Sequence, residues 1–434
     1  MLEIKLVPIT KIKPNAKNAR THSKKQVRQI ATSIREFGFV NPILIDETSI
    51  VIAGHGRLLA ARDLGINEVP CIVVAGLSDA KKRALMLADN KITANAGWDR
   101  EKLAIELPEL SSMLEVEGLE IALTGFEIPE IDQLSADFGE QPDPEDVFEE
   151  PNVAAVSKAG DVWILGKHRL MCGNARNEGD VDKLVEGQKA AMAFLDPPYN
   201  VRVSSIGGRG NVKHREFTEA SGELNETEFV EFLACTLGNA SRVSNDGALH
   251  FVCMDWRHVG DLWLAGKQTY ARHVNTAIWV KTNGGQGSFY RSAHEQILVF
   301  QVGNGPHVNN VELGKHGRSR TNVWTYAGVN TFRKGRMDDL RIHPTVKPIA
   351  LVADAMRDCT KRGDIVLDLF CGSGSSILAA ERVGRRAFCM EVDPIYVDAA
   401  IRRWQSLTKM DAILSGTSST FEEIEAKRSR VETV

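Results

Sequence analysis

The spacing of apolar residues changes character several times along this chain of 434 residues. Over residues 2–9 apolar and polar positions alternate (Leu2, Ile4, Leu6), the period of a half-buried strand. Val27, Ile30, Ile34 and Phe37 recur at helical spacing behind Ser23, a residue type that caps helix starts, and Gly38 ends the run. Residues 42–46 and 50–53 read as strands. Gly54-His55-Gly56-Arg57 reads as a turn, residues 58–64 as a helix stopped at Gly65, and residues 69–74 as another strand. Residues 78–124 carry helical patterning, with Ala80, Ala84, Leu87 and Ala88 on one face. From Asp161 the pattern becomes that of a larger sheet. Residues 162–165 and 168–172 predict a hairpin about Gly166-Lys167, and the apolar run at residues 190–195 predicts a buried strand. Helix (225–242), strand (248–253), helix (257–267) and strands (276–281, 295–301) follow. Then come a strand at 364–370, a helix at 375–382 and a strand at 386–390. Such alternation predicts an α/β sheet covered on both faces.

Charge supports a division into separate units. Residues 1–100 carry 16 basic and 9 acidic side chains, residues 101–157 carry 1 and 16, and residues 158–434 carry 36 and 32. Residues 125–157 hold ten acidic residues, no Lys or Arg, and prolines at 129, 142, 144 and 151, the composition of a solvated linker. The expected organisation is a small α+β domain at 1–76, a helical extension at 77–124, an acidic linker at 125–157, an α/β domain at 158–412 and a polar tail at 413–434. The seven cysteines form no Cys-x-x-Cys pair and lie mostly in apolar runs, which suits reduced thiols rather than a zinc site, and no metal is expected. The amino terminus lacks a signal-peptide pattern and no run approaches a membrane span, so a soluble, cytoplasmic protein is expected.

The candidate chemistry begins at Asp196-Pro197-Pro198-Tyr199-Asn200, directly after the buried run. Two prolines turn the chain there, leaving a carboxylate and an aromatic ring at the carboxyl end of a strand, where ligands of open α/β sheets bind. A carboxylate and a carbonyl can accept the two N–H bonds of an exocyclic base amine and favour its pyramidal, nucleophilic form. Asp196 and the Pro197 carbonyl suit those roles, and Tyr199 offers a π-face to a base taken out of a duplex. A second site is predicted at Phe370-Cys371-Gly372-Ser373-Gly374, a turn between strand and helix, with Glu391 nineteen residues after Gly372, the usual reach of a carboxylate that grips ribose hydroxyls. A nicotinamide fingerprint is broken, because its third glycine would fall at Ile377.

Asp-Pro-Pro-Tyr resembles the catalytic motif of amino-group DNA methyltransferases, in the form more typical of adenine-N6 enzymes. Phe-Cys-Gly-Ser-Gly resembles their cofactor motif, and His343-Pro344-Thr345-Val346-Lys347-Pro348 the segment that contacts the methionine part of S-adenosylmethionine. Catalytic motif first and cofactor motif last is the order of the β class. The resemblance implies a Rossmann-like methyltransferase sheet and S-adenosylmethionine as cofactor. It implies cofactor contacts from Phe370, Cys371, Gly372, Gly374, Glu391, Asp393, Thr345, Lys347 and Asn174, the last standing where the family usually has Asp. Catalysis would fall to Asp196, Pro197, Pro198 and Tyr199 on a flipped adenine of duplex DNA, and a homodimer is one state found among such enzymes. The family places target recognition in the region here spanning residues 302–342, where apolar periodicity is lost and Lys315, Arg318, Arg320, Arg333, Lys334 and Arg336 cluster. Arg209, Lys213 and Arg215, in a Gly-rich stretch after the catalytic motif, are further candidates for DNA contact.

Residues 1–75 resemble the ParB/sulfiredoxin-like amino-terminal domain. Gly54, His55, Gly56 and Arg57 stand at that family's Gly-Glu-Arg-Arg box, with His for Glu and Gly for the first Arg. This implies an accessory role in binding DNA or a nucleotide. Two alternatives stand beside adenine-N6 methylation: a cytosine-N4 or RNA substrate, and a ParB-like binding protein with a degenerate methylase.

Overall fold

The computed structural model describes residues 3–99, 102–103, 106–107, 110–111, 113–114, 117–127, 130–131, 155–201, 219–281, 289–313, 320–326 and 347–431. The chain divides into two compact units, Met1–Ser135 and Ala136–Val434.

The first unit is built from β1 (Ile4–Pro8), α1 (Lys24–Phe37), β2 (Ile43–Ile45), β3 (Val51–Ala53), α2 (His55–Asp63), β4 (Glu68–Val73) and α3 (Asp79–Asn95). Its sheet has the order β1-β4-β2-β3. Ser23 caps α1 as expected, its hydroxyl accepting from the Gln26 N–H. Ile43, Ile45, Val51, Leu58, Val69 and Cys71 form its core. Helix α2 begins at His55 rather than near Leu58, because Gly54 adopts the left-handed conformation at its amino end. The box is therefore the first turn of a helix, not a loop ahead of one. This unit also runs past the expected boundaries at 76 and 124. Lys82 of α3 pairs with Asp46 and Glu47 of the small sheet domain, and Leu107, Ile121 and Ile131 share a buried cluster with Phe126 against them. The first residues of the expected acidic linker are thus folded, since Phe126 and Ile131 supply the apolar surface a linker lacks.

The second unit contains β5 (Val162–Leu165), β6 (His168–Cys172), α4 (Glu178–Val185), β7 (Ala190–Leu195), α5 (Glu226–Arg242), β8 (Ser244–Met254), α6 (Val259–Thr269), β9 (Arg272–Val280), β10 (His294–Gln301), β11 (Val323–Thr325), α7 (Ile349–Cys359), β12 (Ile365–Asp368), α8 (Ser375–Arg382), β13 (Arg386–Glu391), α9 (Pro394–Thr408), β14 (Ile413–Leu414) and α10 (Phe421–Val431). Its ten strands run β11-β9-β10-β8-β7-β12-β13-β6-β5-β14. The centre is parallel: β7 pairs with β8 on one side and β12 on the other, and β13 and β6 continue beyond β12. Antiparallel β10 and β9 extend one flank. Alternation sorts the side chains of β7 onto two cores. Met192 and Phe194 join Ile349, Ile377, Val397 and Trp404 on one face, while Ala193 and Leu195 join Phe229, Leu233, Leu262 and Phe388 on the other. Burial on both faces explains why this strand reads as an unbroken apolar run.

Two expectations change here. Residues 413–434 are not simply a polar tail, for β14 pairs with β5 and α10 closes over the sheet edge. Phe421 is fully buried edge-on to Trp163 with ring centroids 5.2 Å apart, and Arg428 pairs with Asp161 at 2.5 Å. The α/β domain thus runs on beyond residue 412. The region 302–342 also contributes a strand, β11, which extends the sheet by parallel pairing with β9. Substituting Phe421→Ala should cost about 3–5 kcal/mol of unfolding free energy in the second unit, read as a lower urea midpoint; an unchanged midpoint would place α10 outside the cooperative core.

Candidate functional site

Strand order reverses between β7 and β12, since the chain leaves β7 for one side of the sheet and returns for the other. The carboxyl ends of these two strands therefore open a crevice. One pocket in that crevice is lined by Asp196, Pro197, Pro198 and Tyr199 from the end of β7, by Phe370, Cys371 and Gly372 from the end of β12, by Glu391 and Asp393 from the end of β13, and by Asn174 and Lys347. The two motifs read separately from the sequence share a single cavity.

At the β7 end, Asp196 lies in a cluster of buried charge. Its Oδ1 accepts from the Tyr199 hydroxyl at 2.6 Å and its Oδ2 from the Lys347 ammonium at 2.6 Å. Glu295, at the start of β10, faces the same two donors: its Oε2 lies 3.1 Å from the Tyr199 hydroxyl and 3.1 Å from Lys347 Nζ, while its Oε1 accepts from Lys281. Two carboxylates and two ammonium groups thus balance. Burial pushes the Asp196 carboxyl above the ordinary range; the Lys347 charge pulls it back and the Glu295 charge adds to the rise. Burial acts on Glu295 in the same sense, but Lys347 and Lys281 together overcome it and hold its pKa at about 2. Burial would likewise discharge Lys347, yet Asp196 and Glu295 keep its ammonium more basic than a free lysine. Asn200, in a left-handed conformation, closes the turn by accepting from the Gly222 and Leu224 N–H groups and donating to the Leu224 carbonyl.

At the β12 end, Gly372 has positive φ and open space where a Cβ would stand, so a ligand can approach its backbone closely. Gly374 serves another purpose. A Cβ there would lie 2.8 Å from the Ala400 Cβ, so this glycine lets α8 pack on α9 and does not line the pocket, contrary to the expected cofactor contact. Glu391 accepts from the Gly372 N–H at 2.8 Å and the Asp393 N–H at 3.0 Å, and burial raises its pKa. Each of its oxygens keeps a lone pair for a ligand hydroxyl. Asp393 caps α9 through the Ile395 N–H, and Asn174 donates to Glu219 at 3.0 Å. Beneath Cys371, the Asp368 carboxylate and the Cys371 and Cys389 thiols place ligand-type atoms within 4.8 Å of one another. Asp368 accepts there from the Phe370 N–H and the Ser376 hydroxyl.

Sequence reasoning missed Glu295 and Lys281, and it assigned Lys347 to the cofactor rather than to Asp196. Arg320 is also corrected. It is held by Asp358 at 2.9 Å and Asp354 at 3.4 Å and lies over the Trp324 ring, 4.9 Å from its centroid, so it braces the sheet edge instead of offering a free cation to DNA. Thr345, Arg209, Lys213, Arg215, Lys315, Arg318, Arg333, Lys334 and Arg336 lie outside the described residues. In the first unit, the Arg57 guanidinium folds against Gly54 and its Nε is buried without a hydrogen bond. His55 accepts from the Asn15 N–H at 3.2 Å, and a Cβ on Gly56 would meet Ile30 and His22, which accounts for glycine at that position.

Residues 190–402 match the family described as DNA methylase, residues 1–91 the ParB N-terminal domain, and residues 101–159 the ParB-methyltransferase HTH domain. The last match spans the whole of the stretch expected to be a linker, residues 125–157. The chain belongs to the ParB N-terminal domain family and joins that domain to a DNA methylase domain of the N6/N4 methyltransferase family. It is 50% identical over 82 residues to the ParB-like nuclease domain-containing protein YnaK of Escherichia coli (strain K12), covering 19% of this chain and 94% of that one. Type II methyltransferase M.HpaI of Haemophilus parainfluenzae is 25% identical over 55% of this chain and 74% of its own. Type II methyltransferase M2.DpnII of Streptococcus pneumoniae is 27% identical over 50% of this chain and 82% of its own. Among the described residues no helix is long and apolar enough to cross a membrane.

The two glycines make a paired test. Gly374→Ala should lower stability by about 1–3 kcal/mol through overpacking against Ala400, whereas Gly372→Ala should leave the urea midpoint nearer wild type; the reverse ranking would contradict the packing role of Gly374.

Proposed function

We propose that this chain methylates the N6 amino group of adenine in DNA, with S-adenosylmethionine as methyl donor. The observation that carries the reading is the single pocket lined by both the Asp196–Tyr199 turn and the Phe370–Gly372 turn. Its lining suits a cationic ligand: among the described residues, Asp196, Glu219, Asp368, Glu391 and Asp393 supply carboxyl groups against one lysine, Lys347. A pyrophosphate would meet repulsion there, whereas the sulfonium of S-adenosylmethionine would not. When bound, that cofactor supplies an electrophilic methyl group. Glu391 would hold its ribose hydroxyls, Phe370 and Asn174 its adenine, and the Gly372 backbone its close edge.

The rest of the chemistry belongs to the protein's own groups. Asp196 and the Pro197 carbonyl accept the two N–H bonds of the target amine, which localises its lone pair. Tyr199 packs beside the base, with its hydroxyl anchored to Asp196 so that the ring is fixed before substrate arrives. The target adenine must leave the duplex to reach this crevice, at a cost of a few kcal/mol of unstacking. Asp at position 196 favours adenine over cytosine as the substrate base. The ParB-like unit serves as an accessory DNA- or nucleotide-binding domain, with Arg57 as its cation.

Asp196→Ala should bind S-adenosylmethionine as the wild type does, by calorimetry, and lose methyl transfer to DNA by at least about 100-fold. Transfer at the wild-type rate in this variant would overturn the assignment.

A further inference from the structure

The cluster around Asp196 is arranged in an unusual way for a group meant to receive a substrate amine. Both of its oxygens already accept a strong internal donor, the Tyr199 hydroxyl on Oδ1 and the Lys347 ammonium on Oδ2. A new N–H donor must compete with them, and a buried hydroxyl or ammonium displaced without another partner would carry a heavy penalty. The structure supplies that other partner. The same two donors both face Glu295 Oε2, each at 3.1 Å. Glu295 is itself fixed from behind by Lys281 and is buried, with only 7% of its surface exposed; Lys347 is 5% exposed. The four charged groups come from four separate places, the β7 turn, the residue after β9, the start of β10 and the second residue before α7. Their meeting is therefore a property of the fold and not of any one motif.

We propose that Glu295 and Lys347 are positioning residues for Asp196: Glu295 is a reserve acceptor onto which the Tyr199 hydroxyl and the Lys347 ammonium turn when a substrate amine donates to Asp196. No proton changes owner in this exchange. The Tyr199 hydroxyl rotates from one carboxylate to the other, and Lys347, which also donates to the Tyr199 oxygen at 3.1 Å, shifts its remaining N–H bonds between the same two carboxylates. Lys347 keeps Asp196 ionised, and Glu295 keeps Lys347 from binding Asp196 so tightly that the substrate is shut out. The inference rests on the reading of Asp196 as the acceptor of the target amine.

The two residues should move the pH dependence of catalysis in opposite directions. Activity requires the Asp196 carboxylate and falls as pH drops through its pKa. Lys347→Met removes the compensating cation, so the acid limb of kcat should move up by about 1–3 pH units. Glu295→Gln removes a neighbouring negative charge, so the limb should move down, while kcat on its plateau falls by about tenfold because Asp196 is left as the one carboxylate beside Lys347. The experiment measures methyl transfer to DNA by the full-length protein from pH 5 to 9, with calorimetric affinity for S-adenosylmethionine alongside. Lys347→Arg, which retains the cation, should keep the wild-type limb and guards against a Met variant that fails to fold. Limbs unmoved in both Glu295→Gln and Lys347→Met, or a loss confined to cofactor affinity, would overturn the inference while leaving the methyltransferase reading intact. Active Asp196→Ala enzyme would instead remove the reading beneath it.

Discussion

The crevice exists because the chain runs in opposite directions across the sheet from β7 and from β12. That reversal leaves two adjacent parallel strands whose following turns diverge, and nothing else in the sequence would bring Asp196 beside Gly372. The candidate site residues described in the second unit are arranged about that opening. The apolar runs of β7 and β12 are buried on both faces, so the turns at their ends are anchored in a rigid sheet. The prolines after Asp196 stop the strand abruptly, and β12 ends at Asp368, ahead of the turn in which Gly372 has positive φ. Each turn then presents backbone and carboxylate to the same space.

The electrostatics of the crevice follow from burial. Carboxyl groups at strand ends lose water, and without partners they would take up protons. At the β12 and β13 end the partners are backbone N–H groups, which hold Glu391 and leave acceptor capacity for ligand hydroxyls. At the β7 end the partners are ammonium groups, and two lysines balance two acids. The difference suits the proposed tasks. A ribose needs a steady acceptor, whereas an amine that must become a nucleophile needs an ionised carboxylate whose existing partners can give way.

Much of this was legible in the sequence wherever the signal was local. The Asp-Pro-Pro-Tyr turn and the Gly372 turn each sit within one strand–turn unit, the Glu391 spacing spans one strand–helix–strand unit, and alternation or continuity of apolar residues located the strands. Contacts between distant segments were not legible. Glu295 and Lys281 look like ordinary charged residues flanking a hairpin, and nothing local says that Lys347 reaches back to Asp196. Arg320 looked like one of several free cations because Asp354 and Asp358, which hold it, lie on a helix beyond residues 327–346. The carboxyl-terminal segment read as polar because only Phe421 and Ile424 mark its buried side. Gly374 and Gly372 are indistinguishable by type; only the approach of Ala400 separates a packing glycine from a ligand glycine.

The most direct test is to incubate the purified chain with duplex DNA and S-adenosylmethionine bearing a deuterated methyl group, then digest the DNA and identify the labelled nucleoside by mass spectrometry. The account predicts label in N6-methyldeoxyadenosine. Label in N4-methyldeoxycytidine would contradict the choice of base, and no label in any nucleoside would contradict the account of the crevice as a DNA methylation site.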